Sequence, residues 1–219
     1  MIGIKAVGSC LAICALAAPV SAQTRRVASR DDDALSARVV GFVSGQRFAA
    51  QTTFDAAFDD SFGRFFGGGI ELTEGAAFLD VNFSRSSKTG QRAFLFNGQA
   101  YKLNIPLTTT ITPVEVSSGY RFRRNTSIVL YAGVGIGSYA YSETSSFSDS
   151  SDDVHERHVG FLVVGGAEFR LHRQVSVAAD AQYTHISGIL GNAGLSKDAG
   201  EDDLGGMAVR AKVIVGFGR

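Results

Sequence analysis

Residues 185–195, "HISGILGNAGL", set a histidine and a serine two positions apart, His185 and Ser187. An imidazole that reaches a hydroxyl can take its proton and make it a nucleophile, provided that an acid orients the ring. Residues two apart on a strand share a face. Here they continue the apolar face of "VSVAADAQYTHIS", residues 175–187, where Val175, Val177, Ala179, Ala181 and Tyr183 alternate with Ser176, Ala178, Asp180, Gln182 and Thr184. Two readings follow. The pair is a reactive dyad at the end of an apolar face, or His185 joins a girdle of amphipathic side chains and Ser187 opens a loop. The second is the simpler, because a match this short is weak.

Three other stretches could carry chemistry. "GVGIG", Gly133–Gly137, has the glycines of a phosphate loop, but no helix follows and the glycines alternate with Val134 and Ile136. Small residues beside large inward side chains explain them better. "SETSSFSDSSDD", residues 142–153, offers hydroxyls and acids without the glycine turn and spaced ligands of a calcium loop. It reads as a solvated loop, and neither a metal nor a cofactor is expected. "FLFNGQAYKLNIPL", Phe94–Leu107, is the most apolar loop segment. It either folds over a mouth or presents a contact surface.

The elements that must position these residues are set by the ends and the periodicity. "MIGIKAVGSCLAICALAAPVSA" has Lys5, an apolar run from Ala6 to about Ala18 and the small residues Val20-Ser21-Ala22. That is a secretory signal, with cleavage expected before Gln23. Both cysteines, Cys10 and Cys14, lie inside it, so no disulfide or thiolate site is expected. Residues 23–35 have mixed charge and no periodicity and read as a flexible periplasmic arm. The remaining 36–219 suits one domain. The 21 basic and 21 acidic residues cancel, which gives nucleic acid no basic field to bind.

From Ser36 onward, strand-like segments repeat at about 36–50, 63–73, 76–87, 107–122, 126–141, 158–171, 175–187 and 204–217. Glu74-Gly75, Arg123-Arg124-Asn125 and His172-Arg173-Gln174 are short breaks. Residues 51–62, 88–106, 142–157 and 188–203 are long ones. Strict alternation of short and long breaks predicts an all-β fold, an eight-stranded antiparallel up-and-down transmembrane barrel.

The faces of these strands differ in charge. Glu71, Asp80, Glu115, Arg121, Glu168, Arg170, Asp180, Arg210 and Lys212 share one parity, and the charges placed in the strands are expected on that parity alone. An Arg or Lys facing lipid at mid-bilayer costs roughly 2–4 kcal/mol, so the uncharged parity is expected to face lipid and the charges to pair in the lumen. Pro113 falls inside a strand, where a bulge near the outer rim is the expected accommodation.

The signal peptide, the eight strands, the loop asymmetry and the apolar last strand ending near Phe217 resemble the small eight-stranded outer-membrane barrels of the outer-membrane protein A type. In that family the chain ends on the aromatic residue, whereas Gly218 and Arg219 follow here. The resemblance implies an outer-membrane location, with outer-membrane lipid, lipopolysaccharide and the barrel-assembly machinery as partners, and a structural, adhesive or recognition role for a monomer. His185, Ser187 and Asn192-Ala193-Gly194 also resemble the His-x-Ser-Asn-Ala motif of lipid A deacylases, with Gly188–Gly191 inserted. That resemblance implies a lipid-facing esterase in which Glu201, or failing it Asp202, supplies the acid. The reading favoured here is non-enzymatic, with the deacylase-like esterase as its alternative.

Overall fold

The computed structural model describes residues 34–97, 99–122, 126–145, 154–190 and 194–217. The signal segment, most of the arm, Arg123–Asn125, Asn192-Ala193 and Gly218-Arg219 lie outside the described residues. Eight strands form the chain: β1 (Ser36–Phe48), β2 (Phe62–Glu74), β3 (Ala77–Phe96), β4 (Gln99–Phe122), β5 (Ile128–Ser145), β6 (Val154–Arg170), β7 (Val175–His185) and β8 (Gly206–Phe217). Each pairs antiparallel with the next, and β8 closes on β1. The chain of paired residues from Arg38 runs through Glu71, Asp80, Ser117, Gly135, Leu162, Thr184 and Gly206. It returns to β1 at Phe48, ten residues beyond Arg38. That stagger is what tilts the strands against the barrel axis.

Alternation divides each strand between wall and lumen. Val39, Val43, Phe66, Val81, Phe83, Val134, Phe161, Val163, Val209 and Val213 are exposed on the outer wall. Val40, Phe42, Phe78, Val129, Leu162, Val164, Ala208 and Ile214 are buried inside. Glycines make room for the larger rings: a Cβ at Gly119 or Gly133 would meet the ring of Phe78 at 2.7 and 2.8 Å. The glycines of "GVGIG" thus belong to the barrel wall.

The structure departs from the sequence reading in four places. β3 and β4 run on to Phe96 and Gln99, so most of the expected loop 88–106 is a long hairpin. The alternating pattern there is blurred by "TGQRA", and a register shift between Gln91 and Ala93 hides the continuity. Pro113 causes no bulge. β3–β4 partners stop at Phe83↔Val114 and resume in the same register at Ser86↔Ile111, so the sheet tolerates the missing N–H as a local gap. The long breaks contain two short helices, α1 (Gln51–Phe58) and α2 (Gly194–Ala199). Finally, the outer wall is not free of charge: Arg47, Arg64 and Arg85 are exposed on it, on the parity of Val43, Phe66 and Phe83.

Candidate functional site

The lumen holds the polar chemistry, and the strand register builds it. Arg38 lies directly across from Glu71, and Asp180 directly across from Arg210. Glu71 also faces Asp80, a like-charge pair that must be separated by cations. Arg38 answers by donating from Nε to Glu71 at 2.8 Å and from Nη1 to Glu168 Oε1 at 2.8 Å. Arg121 donates to the other oxygen of Glu168 at 2.8 Å. Glu168 is 1% exposed, so two arginines hold its charge where water does not.

A second group adjoins the first. Arg210 donates to Asp180 at 2.6 Å, Lys212 lies 2.9 Å from Asp180 and 3.6 Å from Asp80, and Arg210 Nη1 lies 3.7 Å from Glu115. Tyr131 donates its hydroxyl to Asp180 at 2.6 Å. Tyr139 and Gln182 donate to Glu115 at 2.8 and 2.9 Å. Arg210 also stacks over Phe42 and Lys212 over Tyr131, both at 5.7 Å. Of the charged residues read from sequence, Arg170 stands apart: it is exposed at the short-turn rim, 3.9 Å from Glu168.

Arg38 was missed by the sequence reading, although Val39, Gly41 and Val43 leave it on the lumen side. Its apolar same-face neighbours Val40 and Phe42 masked the signal. Toward the short-turn end a vestibule of about 1070 Å³ opens, with Arg38, Arg121, Glu168 and Arg170 among its lining residues.

The long-loop end is built differently. Phe54, Ala57 and Phe58, at helical spacing, turn one face of α1 into the barrel mouth. Phe48 stacks on Phe54 with centroids 4.1 Å apart, and Phe54 lies 5.5 Å from Phe58. Phe65, Leu107, Ile111, Tyr139, Tyr141, Ile186, Ile189, Leu190 and Leu204 complete this apolar cluster. α1 has no side-chain cap of its own. Glu201 supplies one from the far loop, accepting the N–H groups of Thr52 and Thr53 at 2.9 and 2.8 Å and the Thr53 hydroxyl at 2.8 Å. Burial would raise the Glu201 carboxyl, but these donors hold it below the ordinary carboxylate range.

That contact removes Glu201 from the expected triad. The acid beside His185 is Asp203, whose Oδ2 lies 2.7 Å from Nδ1. Asp203 Oδ1 accepts the N–H groups of Ile186 and Gly205 at 2.7 and 2.8 Å. Burial raises its carboxyl, but those two amides and His185 outweigh it and keep it below the usual range. Ser187 is exposed, and no hydrogen bond joins it to His185 among the described residues. The geometry gives an imidazole held by an acid that braces a loop. Among the described residues no cluster of His, Cys, Asp and Glu is placed to hold a metal.

The amino-acid sequence matches the outer membrane protein beta-barrel domain over residues 9–217. The chain belongs to that family. Among the described residues no helix is long and apolar enough to cross a membrane, and the crossing elements of this family are strands. No curated protein matches the sequence significantly. Among solved structures, the chain is similar to Neisserial surface protein A, with 14% identity, a TM-score of 0.58, and coverage of 84% of this chain and 99% of that one. A major outer membrane protein from Thermus thermophilus is similar at 11% identity and TM-score 0.50, over 83% and 99% of the two chains. At these identities the likeness concerns the fold: an outer-membrane eight-stranded barrel, with the exposed apolar wall toward lipid.

Proposed function

We propose that this outer-membrane barrel is a closed surface protein that serves recognition or adhesion through its outer loops, above all through the β3–β4 hairpin. One observation carries the reading. Beyond the register shift the hairpin exposes Phe94, Phe96, Tyr101 and Leu103, with Phe94 and Tyr101 stacked at 5.5 Å. Large exposed aromatic side chains are where binding energy concentrates. Lys102, paired with Asp59 at the end of α1, joins the hairpin to the mouth by an exposed ion pair.

The reading takes the lumen as plugged by paired charges, with a role outside transport. Five carboxylates, Glu71, Asp80, Glu115, Glu168 and Asp180, meet five cations, Arg38, Arg121, Arg170, Arg210 and Lys212. An eight-stranded interior is filled by such side chains. In this reading the chain is exported with cleavage before Gln23, is inserted as a monomer by the barrel-assembly machinery of a Gram-negative-type cell, and meets lipopolysaccharide on its wall. Against the esterase alternative stand the missing hydrogen bond between Ser187 and His185 among the described residues and the turn of Glu201 toward α1. Replacing residues 92–103 with a two-residue turn tests the proposal. Cells expressing the shortened protein at equal surface density are expected to lose its contribution to adhesion, and undiminished adhesion would contradict the role given to the hairpin.

A further inference from the structure

The outer wall carries exposed arginines that the lumen network does not use, and three of them stand together. Arg47, Arg64 and Arg85 lie on the adjacent strands β1, β2 and β3, and all are exposed. Arg64 is paired with Gly45, two residues before Arg47. Arg85 is paired with Phe66, two residues beyond Arg64. Each arginine is thus the diagonal neighbour of the next, about 7–8 Å away between backbones. Following paired residues from β1 to β8 climbs toward the long-loop end, by ten residues in a full circuit. A level line round the barrel must therefore step back at each strand, as this row does. The three guanidinium groups form a short horizontal row at the upper edge of the apolar wall.

Among the described residues little balances them. The lumen arginines Arg38, Arg121 and Arg210 each meet a carboxylate within 2.8 Å. No carboxylate of the described residues makes an ion pair with Arg47, Arg64 or Arg85, and the one hydrogen bond of Arg47 goes to the amide oxygen of Gln51 at 2.9 Å. Asp60, near enough to feel the charge of Arg64, is held by Lys88. On the outward parity of the described strands the one acid is Glu74, at the short-turn end. Below the row lie the exposed side chains of Val43, Phe66 and Phe83, and the Phe62 ring lies across Gly45 between Arg47 and Arg64.

We propose that Arg47, Arg64 and Arg85 bind the phosphate groups of a phosphorylated glycolipid of the outer leaflet, whose acyl chains lie on Val43, Phe66 and Phe83. Guanidinium forks match phosphate oxygens two by two, and the row stands on the long-loop side of the exposed Val43, Phe66 and Phe83. The apolar floor fits a ligand with several acyl chains beneath closely spaced phosphates.

Native mass spectrometry of the folded mature chain in detergent tests this with three lipids: bis-phosphorylated lipid A, the same lipid dephosphorylated, and phosphatidylglycerol. The wild type is expected to retain bis-phosphorylated lipid A most strongly. The combined variant Arg47→Gln, Arg64→Gln, Arg85→Gln should lose that preference, while Arg157→Gln, on β6 away from the row, should keep it. Arg64→Gln alone, in the middle of the row, should weaken retention by about tenfold or more, the loss expected for a charge-assisted hydrogen bond, and it serves should the triple variant not fold. Equal retention of the dephosphorylated lipid, equal retention of phosphatidylglycerol, or unchanged retention by Arg64→Gln would each overturn the proposal.

Discussion

The middle of the lumen and its outer mouth are built by opposite means. In the middle, strand residues fixed by register bring carboxylates and cations to within hydrogen-bond distance, as Arg38 does with Glu71 and Glu168. At the mouth, two loop segments fold inward and fill the space with rings, as Phe48 and Phe54 do. The charged layer cannot be rearranged without shifting strands. The apolar layer joins α1 and the loop after β7 to rings of the strands, and Glu201 fastens α1 to it. The charged layer is the floor of the interior and the apolar layer its lid.

The largest effect is expected from breaking the floor. Glu168→Ala leaves Arg38 and Arg121 without their shared acceptor in a buried site, a loss of about 3–5 kcal/mol. It should appear as a lower unfolding midpoint in urea, read from the gel mobility of the folded form. Equal stability of variant and wild type would mean that the charges are solvated rather than paired. Next comes the wall. Val213→Arg puts a cation on the lipid side of β8 and should cost about 2–4 kcal/mol of assembly. Efficient folding of that variant into bilayers would contradict the lipid-facing assignment.

The lid should respond more gently. Glu201→Ala removes the cap of α1, worth about 0.5–2 kcal/mol locally. Proteolysis near residue 59 should quicken while the barrel's unfolding midpoint stays put. Acid should act in the same direction. The Glu201 carboxyl is held below its unfolded value, so its contribution is complete above that value and fades as pH falls through the lowered folded one. Faster cleavage is thus expected only below pH 4.5, the ordinary value for Glu. Cleavage unaffected by acid would detach Glu201 from the lid. The smallest effect belongs to Ser187→Ala: neither it nor the wild type should release fatty acid from lipid A, and release that the substitution abolishes would restore the esterase reading.

How much of this was legible in the sequence follows the same divide. Strand alternation carried the floor: Asp80, Glu115, Arg121, Glu168, Asp180, Arg210 and Lys212 all face inward as their parity implied. Arg38 escaped because its same-face neighbours are apolar. The lid escaped because α1 is eight residues long and its cap comes from 149 positions away, beyond any local pattern. His185 gave a recognisable motif with the wrong partner: the loop turns Glu201 toward α1 and brings Asp203 to the imidazole. The outward arginines were readable from the alternation of β1, β2 and β3, but the balance of charges in the other strands suggested an uncharged wall.

The most direct test of the two-layer closure is conductance. Purified protein is folded into planar bilayers and recorded at neutral pH. The wild type is expected to show little steady current, and Phe54→Ala with Glu201→Ala, which loosen the lid alone, should leave that baseline low because the charged floor remains. Stable, porin-sized channels in the wild type would contradict the account.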